Sequence, residues 1–150
     1  MNEEWAKALH EAAHVVVADL AELPIVRVVL GDESGVTLGK WVRYGPLSDH
    51  NRTLLTDEIR FFLAGPTVDE GTGYNESSHQ TADRDAASER ALELVGGDKD
   101  AARQLLEKMS SETKPLVDQH MERIERVATK LRVDRDWSSE QVREVLSEVK

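Results

Sequence analysis

Five residues near the start of the chain have the types and spacing that chemistry needs: His10-Glu11-Ala12-Ala13-His14, inside the run from Trp5 to Leu20. On a helix, residues four apart share a face, so His10 and His14 present two imidazoles to one point in space. Two imidazoles placed in this way are the usual start of a zinc site. Glu11 lies one position round from His10, where its carboxylate can serve a metal-bound water without ligating the metal. For that reason H-E-x-x-H on a helix reads as a metallopeptidase signature, with Glu11 as general base. The chain has 5 His, and shuffling its composition would produce the motif in about one to two chains per hundred. The flanks argue further against chance. Two alanines separate the key residues and a long apolar run follows, which predicts a buried helix whose enclosed polar groups need partners. The competing reading is a surface helix with two incidental histidines and no metal.

Two histidines do not complete a catalytic zinc site, which takes three protein ligands and one open position. The chain contains no cysteine, so the third ligand must be a histidine or a carboxylate. No second histidine motif follows at short spacing. By residue type the candidates are His50, His79 and His120, and the carboxylates Asp69, Glu70, Asp83, Asp85 and Glu89. His50 and His79 fall in stretches that read as polar loops, and His120 flanks an apolar stripe. The spacing leaves the choice among these residues open.

The elements that must hold these residues follow from local patterns. Asn2 can cap the first helix, Glu3 and Glu4 suit its first turn, and Pro24 stops it. Ile25 to Leu30 and Val36 to Tyr44, joined by Gly31-Asp-Glu-Ser-Gly35, read as a β-hairpin. In zincin-type peptidases an exposed edge strand beside the metal accepts an extended peptide through main-chain hydrogen bonds. Leu54, Leu55, Glu58, Ile59, Phe62 and Leu63 fall at helical spacing, with Ala64-Gly65-Pro66 ending or kinking that helix. Residues 71–80 read as loop. Helices are then expected from Thr81 to Val95, from a cap at Asp98 to Ser111, and from 114 to 131 with Pro115 in the first turn. Ser138 or Ser139 opens a last one with Val142, Val145, Leu146 and Val149 on one face. The expectation is a mainly α (α+β) fold in one domain over 1–150: a zincin-like H-E-x-x-H helix with a small β-hairpin, then a C-terminal helical bundle.

At 150 residues and a formal charge of −10, the chain would be repelled by nucleic acid and by anionic membranes. No disulfide is possible. The first residues carry Glu3 and Glu4 without a basic leader, and no apolar run approaches a membrane span. These features predict a soluble, cytoplasmic protein.

At this point the sequence resembles the peptidase domain of the FtsH-type ATP-dependent zinc metalloproteases, peptidase family M41. Leu9-His-Glu-Ala-Ala-His-Val-Val-Val17 resembles the family's H-E-A-G-H-A and apolar run. Val26-Arg-Val-Val-Leu30 followed by Leu38-Gly39 resembles its strand, basic turn and L-G. Ile59 through Leu63-Ala-Gly65 and Glu70 resembles its A-G-x-x-A-E helix. Asp83, Ala87 and Ala91 resemble the D-x-x-x-A-T-x-x-A helix whose aspartate is the family's third zinc ligand. The resemblance implies His10, His14 and Asp83 as zinc ligands and Glu11 as general base, with Asp85 the alternative to Asp83 two residues on. It also implies an enzyme that hydrolyses peptide bonds. Ala13 stands for the family's glycine, and Pro66 follows Ala64-Gly65 where the family continues its helix. No ATPase module and no Gly-rich phosphate-binding sequence accompany the domain. Its substrates would therefore be flexible or unfolded polypeptides, cleaved without ATP unless a separate ATPase or a homo-oligomer completes the machine. Two other classes compete: a catalytically inactive relative serving as a zinc-stabilised peptide-binding module, and a helical interaction protein carrying a chance motif.

Overall fold

A computed structural model gives the fold at residues 2–32, 35–39, 41, 47–74 and 77–150, with backbone alone at 77–79. Asn2 opens helix α1 (Glu3–Leu20): its side-chain oxygen accepts from the amides of Glu4 (2.7 Å) and Trp5 (3.3 Å). Glu3 and Glu4 put negative charge at the positive end of the helix dipole. A Schellman turn, rather than Pro24, closes the helix. Glu22 is left-handed (φ 58°), its amide donates to the Asp19 carbonyl, and the Leu23 amide donates to the Ala18 carbonyl. Every residue from Ala6 to Ala18 is buried. A helix enclosed on all sides is the centre of a fold rather than its surface. Each fully buried Leu or Val on it contributes about 1.5–3 kcal/mol.

The hairpin forms as expected. Strand β1 (Ile25–Leu30) pairs antiparallel with β2 (Gly35–Gly39), with an irregularity between Ile25 and Arg27. Of the expected continuation toward Tyr44, Trp41 lies beyond the strand's end, and residues 40 and 42–44 lie outside the described residues. A third strand, β3 (Asp136–Ser138), pairs with β1 on its other side, giving the order β2-β1-β3. Three residues are too few for an alternating pattern to register, so the sequence held no sign of β3. Its anchor is Trp137, buried in the core. The placement leaves β2 at the sheet edge, with one strand partner among the described residues. Lys7 pins the hairpin turn to α1 by donating from Nζ to the Asp32 carbonyl (3.0 Å). Arg135 reinforces it, donating to the carbonyls of Leu30 and Gly31 and to the Glu4 carboxylate.

The remaining elements are α2 (Asp49–Thr72), α3 (Ser77–Leu94), α4 (Lys99–Gln119), α5 (Met121–Val133) and α6 (Ser139–Glu148). Pro66, expected to end or kink its helix, lies inside α2, and Pro115, expected in a first turn, lies inside α4. A proline keeps a helical φ and removes one backbone hydrogen bond, here at the carbonyls of Phe62 and Ser111. Ser111 is exposed, so water can satisfy it, and beyond Pro66 the buried Val68 and Asp69 hold α2 in place. Residues 77–80 belong to α3 rather than to a loop. Gly73 (φ 76°) ends α2, and a capping box between Ser138 and Gln141 opens α6 where expected.

Two apolar clusters result. The larger surrounds α1 with residues such as Val28, Phe61, Ile124, Leu131 and Trp137. The smaller joins Ile59 and Leu63 of α2 to Ala87 and Ala91 of α3 and to Ala102 and Met109 of α4. The described residues are thus mainly helical with a small three-stranded antiparallel sheet. No described helix is long and apolar enough to cross a membrane.

Candidate metal centre

His10 and His14 leave α1 on one face and meet Asp83 from α3, with α2 forming the wall behind them. Hydrogen bonds fix the state of each ring. His14 Nδ1 lies 2.7 Å from the Phe61 carbonyl, which can only accept, so the proton sits on Nδ1 and Nε2 carries the lone pair. His10 Nδ1 lies 2.8 Å from Asp69 Oδ2, and the carboxylate likewise draws the proton to Nδ1. The two Nε2 atoms are 3.2 Å apart, and Asp83 Oδ2 is 2.9 Å from one and 3.1 Å from the other. Three lone pairs aimed at one point repel unless a cation or a proton lies among them. Ligand atoms about 2.0–2.1 Å from a shared tetrahedral metal stand about 3.3 Å apart, so the observed triangle is close to that required. The group can hold a metal ion. His10 is 5 % exposed and His14 3 %, whereas the Asp83 side chain is 18 % exposed, so the cluster opens toward solvent on the Asp83 side.

Gly65 explains how α2 comes so near. A Cβ there would lie 2.5 Å from His10 Nε2 and Cε1 and 2.6 Å from His14 Nε2, closer than any side chain allows. One turn on from Gly65, on the same face, is Asp69, 1 % exposed. Its Oδ2 accepts a hydrogen bond from His10 Nδ1 and another from Gln80 Nε2 (3.2 Å), while Oδ1 has no partner among the described residues. A carboxylate behind a ligating imidazole holds its tautomer and raises its basicity. The sequence reading placed Asp69 only among possible ligands and matched Glu70 to the family's helix. In the structure Asp69 is the inward residue, and Glu70 is exposed and paired with Arg84. The i, i+4 spacing of Gly65 and Asp69 was the signal that could have shown this.

Glu11, 3 % exposed, is not one of the three converging groups. Its Oε1 accepts from the Thr37 hydroxyl (2.8 Å), and its Oε2 is 3.9 Å from His10 Nε2, too far for a hydrogen bond to the ring. The other candidates do not join the cluster. His50 is exposed in the first turn of α2, His120 is partly exposed between α4 and α5, and Asp85 and Glu89 are exposed on α3. The His79 side chain lies outside the described residues.

Burial is the strongest influence on His10 and opposes its charged form. The hydrogen bonds to Asp69 and Asp83 and the negative charges of Glu11 and Asp69 together outweigh it, pushing the His10 pKa up to about 10. His14 is raised as well, burial being outweighed mainly by the charge and hydrogen bond of Asp83. Burial alone would raise Asp83, but the two imidazoles hold it well below the usual carboxylate range. Without metal, therefore, a proton occupies the position that a cation would take. A folded pKa of about 10 against 6.5 unfolded means that the contribution of His10 to stability is complete below pH 6.5 and lost as pH rises toward 10. Denaturant melts of metal-free protein between pH 6 and 9 should show stability falling by about 1 kcal/mol per pH unit. Bound metal displaces the proton, so the metal-loaded protein should not show this fall. Metal affinity should in turn weaken as pH drops. Compared with known proteins, the chain matches no protein-family model and no curated protein, so the chemistry of the site is read from its own geometry.

Proposed function

We propose that the chain is a zinc metallopeptidase of the zincin kind, similar to the FtsH-type peptidase domain, hydrolysing flexible or unfolded polypeptides without ATP. The observation that carries this reading is the convergence of His10 Nε2, His14 Nε2 and Asp83 Oδ2, with the Glu11 carboxylate beside them and outside the ligand set. Two imidazoles and one carboxylate suit zinc and leave a position open for chemistry. Zinc, when bound, supplies the Lewis acidity that polarises a peptide carbonyl and makes water a nucleophile near neutral pH.

The protein supplies the rest. Asp69 and the Phe61 carbonyl hold the two rings with their Nε2 lone pairs inward. Glu11 takes the proton from the attacking water and returns it to the leaving amine. Strand β2, hydrogen-bonded to Glu11 through Thr37, has no strand on its outer side among the described residues and would offer that side to an extended peptide. The net charge of −10 favours neutral or basic substrates.

The test is elemental analysis of wild-type, His14→Ala and Asp83→Ala proteins purified without added chelator or metal. One zinc per chain in the wild type, lost in both variants, is the expected result. Zinc lost only with His14→Ala would take the third ligand away from Asp83. A wild type that binds no zinc even when zinc is offered would end the peptidase reading and leave a helical interaction protein.

A further inference from the structure

We propose that Thr37 is a positioning residue for Glu11, so that the strand bordering the open sheet edge also sets the orientation of the general base; this rests on the peptidase reading above. A glutamate side chain turns about three bonds, and a base that must meet one proton gains from having that freedom removed beforehand. Strand β2 removes it from two sides. The Thr37 hydroxyl donates to Glu11 Oε1 at 2.8 Å and lies 3.4 Å from the Glu11 main-chain oxygen. With Oε1 occupied, Oε2 is the oxygen turned toward the cluster, 3.9 Å from His10 Nε2. Two residues earlier, on the same face of the strand, Gly35 is the second constraint. A Cβ at Gly35 would come within 2.8 Å of Glu11 Cγ and 3.0 Å of Oε2, so the strand lies as close to the carboxylate as a bare backbone permits.

Thr37 faces Val28 across the β1–β2 ladder, while β2 has no strand on its other side among the described residues. A strand held on one side gains order when a second strand joins it. A peptide docking there would steady Thr37 and Gly35, and through them Glu11. Substrate docking and alignment of the base are thereby linked through one hydroxyl.

The test compares wild type, Thr37→Val, Thr37→Ser and Gly35→Ala. Valine keeps the shape and strand preference of threonine and removes only the hydroxyl. The first readout is the carboxyl-carbon resonance of Glu11 in 13C-glutamate-labelled protein, with and without zinc, identified by its loss in Glu11→Gln. The resonance should move in Thr37→Val, hold its place in Thr37→Ser, and move in Gly35→Ala, where a methyl presses on Glu11 while the hydroxyl remains. The second readout is cleavage of an unstructured quenched peptide by zinc-loaded protein. Thr37→Val should lower kcat about tenfold with KM within about twofold, and Thr37→Ser should restore most of the loss. A resonance unmoved in Thr37→Val, or an unchanged kcat in either Thr37→Val or Gly35→Ala beside an active wild type, overturns the inference. A resonance that moves as expected in a protein that cleaves nothing supports the positioning and removes the peptidase reading instead.

Discussion

Glu11→Gln should lower the kcat for an unstructured peptide by about a hundred- to ten-thousandfold while leaving zinc content unchanged. Glutamine has the same shape, and its carbonyl oxygen can still accept from Thr37, so the partly buried hydrogen bond of 2.8 Å survives the change. What is lost is the negative charge, and with it the ability to take a proton. The two measurements together separate the roles open to this residue. A variant that keeps its zinc and loses turnover identifies a base. A variant that loses zinc identifies Glu11 as a ligand, contrary to its 3.9 Å distance from the His10 nitrogen. Equal cleavage by variant and wild type would rule out Glu11 as the base. Zinc binding with no cleavage by the wild type would leave a zinc-stabilised peptide-binding module.

Gly65→Ala carries the second large effect, and its sign is opposite to what helix propensity predicts. Alanine is favoured over glycine inside a helix by about 1 kcal/mol, so on local grounds the change should stabilise α2. Here the new methyl would lie 2.5 Å from His10 and 2.6 Å from the His14 nitrogen. It would fill the space between the two lone pairs or drive α2 away from α1. Overpacking of a buried contact costs about 1–3 kcal/mol, enough to cancel or exceed the propensity gain. Displacing ligand imidazoles should weaken zinc binding by about a hundredfold. Competition against a chelator of known affinity, together with denaturant melts, checks both parts. Wild-type zinc affinity in this variant would mean that α2 can retreat at little cost, and that Gly65 is not required by the site.

What could be read from the sequence divides by the range of the interaction. The α1 helix, its cap at Asn2 and the shared face of His10 and His14 depend on residues within one or two turns, and the structure has all three. Asp83 was one of several carboxylates of suitable type until the family resemblance singled it out, because the fold brings it from 69 residues beyond His14. The role of Asp69 was missed because the helix register was counted to Glu70. Pro66 was read as ending or kinking its helix and Pro115 as opening one, and tertiary packing carries the helix through at both positions. Strand β3 lacked a readable pattern because its three residues owe their conformation to pairing with a strand more than a hundred positions earlier.

The three converging groups also straddle the seam between the two apolar clusters, since α1 belongs to one and α3 to the other. An ion held there would work as a reversible cross-link between distant parts of the chain, and by binding the folded state in preference to the unfolded one it would favour folding. Its contribution depends on supply. Free metal at a hundred times the dissociation constant adds about 2.7 kcal/mol to folding, a large share of the roughly 5–15 kcal/mol that holds an ordinary domain together. If the site is filled in this way, the folded fraction would follow the metal level around the protein. On the peptidase reading proposed above, a chain short of metal would lose structure along with activity, and become a substrate for the proteases around it.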